Sequence, residues 1–472
     1  MNPNNLAQFA LKNRYQLLVL AHALLGVLIF LKPATGAYFS VFLFFSGICY
    51  IVKNKNRNNE VLFAAAYATG SEVLVRMADG AGYEFGKYTV LIFAMLGIAY
   101  SGFSKKSWLY ALYLLLLLPS LILTDNLLSL SKPEINLIIS KISGPICLGF
   151  LSIYALGKKI TFVQVSRVLL LLSMPILSIA VNVFLSSPDI KSITSVESNA
   201  YFSGMFGPNQ VSTALGLGIF VFFSRAILNS ESRHIAMLNL ILGSFLSYVG
   251  LLTFSRAGMI TGFCAVVSVA VLVFLKSESY GKWKAKTRLA AIIACFFAMF
   301  TLISFQTDGL LVKRYTNRDH LGRVKRDKPG DRRSIATQEI KMFVANPIIG
   351  VGTTKAEETR KAELGREFHS HDEITRMLAE HGTLGFIGIL ILLVTPAWLF
   401  FREKRNILLA PFFVFWFLTI NHSGIRVAAP AFVYALMLLQ VDLSSCSLFS
   451  RKTGSSTVYS KMFLRKPQVS SI

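Results

Sequence analysis

Imidazole is the side chain best placed to accept a proton near pH 7, and two stand together in His369-Ser370-His371-Asp372-Glu373. The residues that follow, with Ile374, Met377 and Leu378 ahead of Gly382-Thr383-Leu384-Gly385, read as an amphipathic helix entering an apolar span. A histidine at its start then sits close to a membrane surface, where it can serve as a general base. A metal is the competing use, with His369, His371 and Asp372 crowding one ion. Two histidines at i, i+2 on a helix point apart and no third ligand has a recognisable spacing, so no metal is expected.

Guanidiniums precede these imidazoles. From Lys313 to Arg333 nine basic residues (Lys313, Arg314, Arg318, Arg323, Lys325, Arg326, Lys328, Arg332, Arg333) face three acidic ones (Asp319, Asp327, Asp331), a net charge of +6. That is a patch for phosphate or another polyanion; a solvated loop near anionic lipids is the alternative, and it suits Lys325 to Lys328. After Asp331 the pattern turns helical, with Ile335, Ile340, Phe343 and Val344 expected on one apolar face. Asn346-Pro347 stops that helix and Gly350-Val351-Gly352 turns the chain.

Three further groups lie upstream. Thr253-Phe254-Ser255-Arg256-Ala257-Gly258 forms a turn between two apolar runs. Arg256 there presents a planar, charged fork suited to a phosphate, or acts as a snorkelling interface anchor. Asn209 and Gln210, in Phe206-Gly207-Pro208-Asn209-Gln210, open another apolar run; they can meet sugar hydroxyls or cap the helix. Glu72 and Arg76 are spaced i, i+4 at membrane depth, as a site component or, preferably, as a self-satisfied ion pair.

The elements that must hold these groups are apolar helices. The 472 residues are 54% hydrophobic and 15% charged, whereas a soluble domain carries about a quarter charged residues. Apolar runs near 15–31, 36–52, 60–78, 87–103, 108–124, 135–156, 162–186, 208–229, 235–254, 257–275, 288–305, 383–401, 406–421 and 425–443 each approach the ~20 residues a helix needs to cross a bilayer. The expectation is an all-α polytopic membrane protein of about 12–14 transmembrane helices, with 60–78 and 425–443 the weakest. The chain divides into a bundle at 1–305, one long, partly helical loop at 306–382, further spans at 383–445 and a tail at 446–472.

Lys12/Arg14, Lys53/Lys55/Arg57, Lys105/Lys106, Lys158/Lys159, Arg233, Lys282/Lys284/Lys286/Arg288 and Arg402/Lys404/Arg405 fall in alternate connections. The positive-inside rule then puts both termini in the cytoplasm and the long loop outside. No cleavable leader pattern is seen, so the first span is expected to stay in the membrane. The net charge of +24 is spread over these loops and sets topology, so no nucleic-acid partner is expected. Five cysteines within or beside apolar runs, none at zinc spacing, read as buried thiols. A transporter using the loop as a gate is a different class of function, but the repeat symmetry and midplane helix breaks typical of transporters are not apparent.

Taken together, residues 200–440 resemble the O-antigen ligase and polymerase superfamily of bacterial envelope glycosyltransferases. The likeness rests on Ser255-Arg256-Ala257-Gly258 at an outer turn, and on Arg332 upstream of Pro347-Ile348-Ile349-Gly350-Val351-Gly352. It continues with His371 ahead of Glu380-His381-Gly382-Thr383-Leu384-Gly385. Register selects Arg332 over Arg333 and His371 over His369; the family often carries Asn after this histidine, where this chain has Asp372.

The resemblance implies a multi-pass protein of the bacterial inner membrane with its active site facing the periplasm. It implies a glycan donor carried on undecaprenyl diphosphate, and as acceptor a hydroxyl of the lipid A core or, in a polymerase, of another lipid-linked repeat unit. The spacing of the closing motif favours the ligase. His371 would be the general base, and Arg256 and Arg332 would stabilise the leaving diphosphate. Arg333, Asn209, Gln210, Arg314 and Arg318 would bind substrate. No cofactor is implied, because the donor is already activated.

Overall fold

Each of the fourteen apolar segments is a helix in the computed structural model, which describes residues 13–122, 132–228, 232–277, 279–324, 332–353, 355–364, 370–403 and 406–442. His369, the run from Lys325 to Asp331 and the tail lie outside the described residues, with the expectations placed on them. The first seven segments form α1 (Arg14–Leu31), α2 (Thr35–Asn54), α3 (Glu60–Met77), α4 (Phe85–Ser101), α5 (Trp108–Ile122), α6 (Lys132–Ala155) and α7 (Phe162–Ser186). Then come α8 (Pro208–Leu228), α9 (Arg233–Leu252), α10 (Arg256–Lys276) and α11 (Ser279–Gln306). The polar loop adds α12 (Leu310–Tyr315), α13 (Arg332–Ala345) and α14 (Lys355–Leu364) before α15 (Glu373–Trp398), α16 (Leu409–Ile420) and α17 (Ala428–Met437). Among the described residues nine helices are long and apolar enough to cross a membrane. The architecture is that of an all-α polytopic membrane protein.

Apolar composition alone does not separate core from lipid-facing helices, because both are hydrophobic all round. Packing does. α8 is buried at every residue from Val211 to Leu228 except Arg225, while α1, α2 and α11 leave most of their surface uncovered. Small residues bring α8 and α10 together: a Cβ on Gly216 would lie 2.1 Å from the Gly258 carbonyl oxygen, and one on Gly262 would lie 2.4 Å from that of Gly216. Such glycines let two helix backbones touch. The Ser212 hydroxyl then donates to the Ser255 carbonyl at 2.9 Å. Arg256, at the start of α10, is thereby fixed beside the first turns of α8.

The last two helices are shorter than their apolar runs suggest. At ~1.5 Å per residue they reach about 18 and 15 Å, against ~30 Å of hydrocarbon. The interruption is the turn from Asn421 to Val427, where Gly424 adopts a φ of 59°. Side chains from other helices satisfy its backbone. The Ala428 N–H donates to Glu72 Oε2 at 2.6 Å, the Ile425 N–H to Glu373 Oε2 at 3.4 Å, and Arg76 donates to the Arg426 carbonyl at 3.2 Å. Irregular backbone among spans is tolerated where protein buries and pairs it.

At one end of the bundle β1 (Lys159–Thr161) pairs in parallel with β2 (Gln440–Asp442). Lys158 donates to the Ser101 carbonyl at 2.8 Å, the Lys106 ammonium lies 4.6 Å from the Trp398 ring centre, and Arg288 binds the Ala226 and Ile227 carbonyls. Those basic connections share that end. Asn209, Arg256 and the turn at 421–427 lie at the other.

Candidate active site

The turn that carries Arg256 is strained. Phe254, buried to 2% exposure, holds a φ of 55°, a left-handed conformation that costs a non-glycine residue about 1–3 kcal/mol. Its carbonyl receives Arg314 Nε at 2.9 Å, and Arg256 in turn donates to the Arg314 carbonyl at 2.9 Å. The two guanidiniums are therefore locked together through backbone oxygens, which leave their charges in place. Arg332, at the start of α13, joins them electrostatically. Desolvation of the guanidinium, on an otherwise exposed residue at Arg332, then the Arg256 charge, lowers both Arg314 and Arg332 from the ordinary arginine value; Glu197 partly offsets this at Arg314, to which Arg332 also contributes. The Arg332 charge reaches His422 as well. Tyr315, whose buried hydroxyl has no hydrogen-bond partner among the described residues, has its pKa raised by burial and drawn back by Arg256 and Arg314. Three cations crowded in this way form a receptor for an anion.

His371 is held from both sides. The Ser370 hydroxyl donates to Glu339 Oε2 at 3.2 Å, and its carbonyl accepts from Arg426. Asp372 caps α15 by accepting the Ile374 N–H at 3.0 Å, a task asparagine performs equally well. One turn on, Thr375 donates to Glu339 Oε2 at 2.6 Å. Glu339 also pairs with Arg360 at 2.8 Å, both side chains being fully buried. This overturns the apolar face expected for α13: Ile335, Glu339 and Met342 are its buried residues, while Ile340 and Val344 are 47% and 69% exposed. The helix turns a carboxylate inward because that carboxylate organises the residues flanking His371. Glu339→Ala should cost about 3–5 kcal/mol locally, since it leaves the Arg360 charge buried without this acid. Limited proteolysis across 332–382, much faster than in the wild type, is the measurement.

The two glycine motifs meet each other. Gly382 breaks α15 with φ 61° and ψ −140°, a combination that favours glycine. The carbonyls this break releases are taken by the turn after α13: the Val351 N–H donates to Ala379 at 2.9 Å and the Gly352 N–H to Glu380 at 3.1 Å. Thr383 returns its N–H to the Pro347 carbonyl at 2.7 Å. The helix that begins beside His371 is thus clamped to the one that begins with Arg332.

Hydrogen bonds and chain neighbours link Ser370, next to His371, to Ser255, next to Arg256. Arg426 reaches Ser370, Arg76 reaches the Arg426 carbonyl, and Gln210 accepts from Arg76 at 2.7 Å. Next to Gln210, Asn209 accepts from the Ser255 hydroxyl at 3.0 Å. Asn209 and Gln210 are therefore engaged by the protein itself, supporting the Arg256 turn and Arg76. Glu72 and Arg76 do pair, at 2.6 Å, and they also hold the 421–427 turn. Arg318 is exposed and donates to the Gly322 carbonyl at 3.1 Å. Arg333 is exposed.

Sequence reasoning missed Lys87, Lys141 and Arg376, which with Arg426, Tyr83 and Glu373 line a cavity of about 250 Å³ next to Ser370. Lys141 pairs with Glu357 at 2.8 Å, and Arg376 with Glu380 at 2.6 Å. A signal was present: Lys87 and Lys141 are charges inside apolar runs, which mark functional interiors.

Residues 218–390 match the family model described as O-antigen ligase, a stretch that contains Arg256, Arg314, Arg332 and His371. Among curated proteins no match was found.

Proposed function

Because residues 218–390 match the O-antigen ligase family model, we propose that the chain belongs to that superfamily of membrane glycosyltransferases and transfers a glycan from undecaprenyl diphosphate to a hydroxyl of a lipid A core acceptor, on the periplasmic side of the bacterial inner membrane. The acceptor oxygen attacks the anomeric carbon, and the bond from that carbon to the diphosphate breaks. The acceptor proton passes to His371, and the electron pair leaves with the diphosphate, inverting the anomeric centre. Arg256, Arg314 and Arg332 meet the charge that develops on the leaving group, in a site where water is thinned and each contact is worth more than in bulk. No metal or nucleotide enters this scheme. Arg318 and Arg333, both exposed, would serve the approach of an anionic donor. The observation that carries the reading is the crowding of three guanidiniums at the end of the bundle where the residues flanking His371 are rigidly held.

Lipopolysaccharide from a strain lacking the chain tests the acceptor. Long glycan accumulating on undecaprenyl diphosphate is the expected result. Single repeat units attached to core would instead identify a polymerase joining lipid-linked repeats.

A further inference from the structure

A cavity of about 820 Å³ lies at the end of the bundle opposite Arg256, between α2, α3 and α7. Its volume falls within the ~300–1,000 Å³ of typical ligand sites. Along α2 the lining runs from Phe42 to Asn54, about 18 Å of helix. The inner part is apolar, walled by Phe42, Leu43, Phe63 and Leu170, and the mouth is polar, with Gln164 and Arg167. Phe42 is 71% exposed, so the groove opens on the flank of the bundle.

Charge decides what fits the mouth. Arg167 is exposed and makes no hydrogen bond or ion pair among the described residues. The one nearby acid, Glu60, is 2% exposed and turned inward, accepting from the Asn58 N–H at 3.0 Å and its side-chain amide at 3.2 Å. A guanidinium without a partner, above an apolar trough the length of an acyl chain, is complementary to an anionic amphiphile. Because the mouth lies at the end that carries Lys158 and Lys159, the occupant enters from the leaflet at that end.

We propose that this groove binds one anionic glycerophospholipid, its phosphate on Arg167 and an acyl chain along α2. The site is separate from the guanidinium cluster and independent of the glycan-transfer reading.

Native mass spectrometry of the full chain in detergent, titrated with dioleoyl phosphatidylglycerol or dioleoyl phosphatidylcholine, tests it. One phosphatidylglycerol should be retained in preference to phosphatidylcholine. Arg167→Gln should lower that retention about tenfold. Ala64→Trp, which fills the groove from α3, should do the same while the protein stays monodisperse. Arg57→Gln, at the same end but outside the groove, should leave it unchanged. Equal retention of the two lipids, or retention untouched by both groove variants, overturns the proposal. So does an equal loss in Arg57→Gln, which would indicate a general basic surface, or displacement by millimolar inorganic phosphate, which would indicate a free-phosphate site.

Discussion

His371→Ala should lower glycan transfer by about 10²–10⁴-fold, the usual contribution of a positioned general base. Membrane insertion should be intact, because the structure flanking His371 is held by Ser370, Asp372 and Thr375 through their own hydrogen bonds. Arg256→Ala is expected to cost about 10²–10³-fold, comparable to losing one contact to a developing anion. Part of that loss comes from releasing Arg314, whose carbonyl Arg256 holds. Arg256→Lys separates the two effects: it keeps a charge but loses the rigid fork, so activity should return only in part. Purified protein in lipid nanodiscs, supplied with lipid-linked glycan and acceptor, gives kcat and KM for each variant. Wild-type rates in both alanine variants would remove the catalytic assignment and leave the helix bundle without a known chemistry.

The second large effect concerns a residue that touches no substrate. A Cβ at Gly382 would lie 2.6 Å from the Gly350 nitrogen and 2.7 Å from the Ile348 carbonyl group. Those neighbours are backbone atoms and cannot rotate aside. Gly382→Ala adds a strain of about 1–3 kcal/mol for the left-handed φ and must part the two segments. The clamp between the Arg332 helix and the His371 helix then opens, and a ~1 Å displacement of reacting groups can cost 10²-fold. Transfer should fall by about that factor with His371 and Arg256 both present, and protease cleavage within 332–382 should accelerate. Gly322→Ala is the control. Its φ of 84° is also positive, but no atom lies within 4 Å of the added carbon. It carries similar strain in an exposed hairpin far along the chain from the clamp, and activity should hold.

Several of the candidate residues stand out in the sequence for physical reasons. A charged or imidazole side chain next to an apolar span is costly, so Arg256, Arg332 and His371 were conspicuous by type alone. The i, i+4 spacing of Glu72 and Arg76 predicted their pairing because a helix stacks such residues on one face. Lys87 and Lys141 carry the same signal within apolar runs, but only packing brings them to one cavity beside Ser370. Asn209 and Gln210 illustrate the opposite case. Their position at a helix start is compatible with sugar contact or with capping; in the fold Asn209 accepts from Ser255 and Gln210 from Arg76.

By itself, the order of residues determined that this chain is a helical membrane bundle, which segments are helices and where the ionisable groups interrupt them. Those are properties of each segment in its solvent: a long apolar run must hydrogen-bond its own backbone in lipid, whatever its neighbours. Only the tertiary structure decided that α13 buries Glu339 and exposes Ile340, that Arg314 locks to the Arg256 turn while Arg318 bonds Gly322, and that the two glycine motifs form one clamp. Helical periodicity names the residues that share a face, but which face turns inward depends on the partner waiting there. For α13 that partner is a set of donors, Arg360, Ser370 and Thr375, contributed by segments 21 to 36 residues away in the chain.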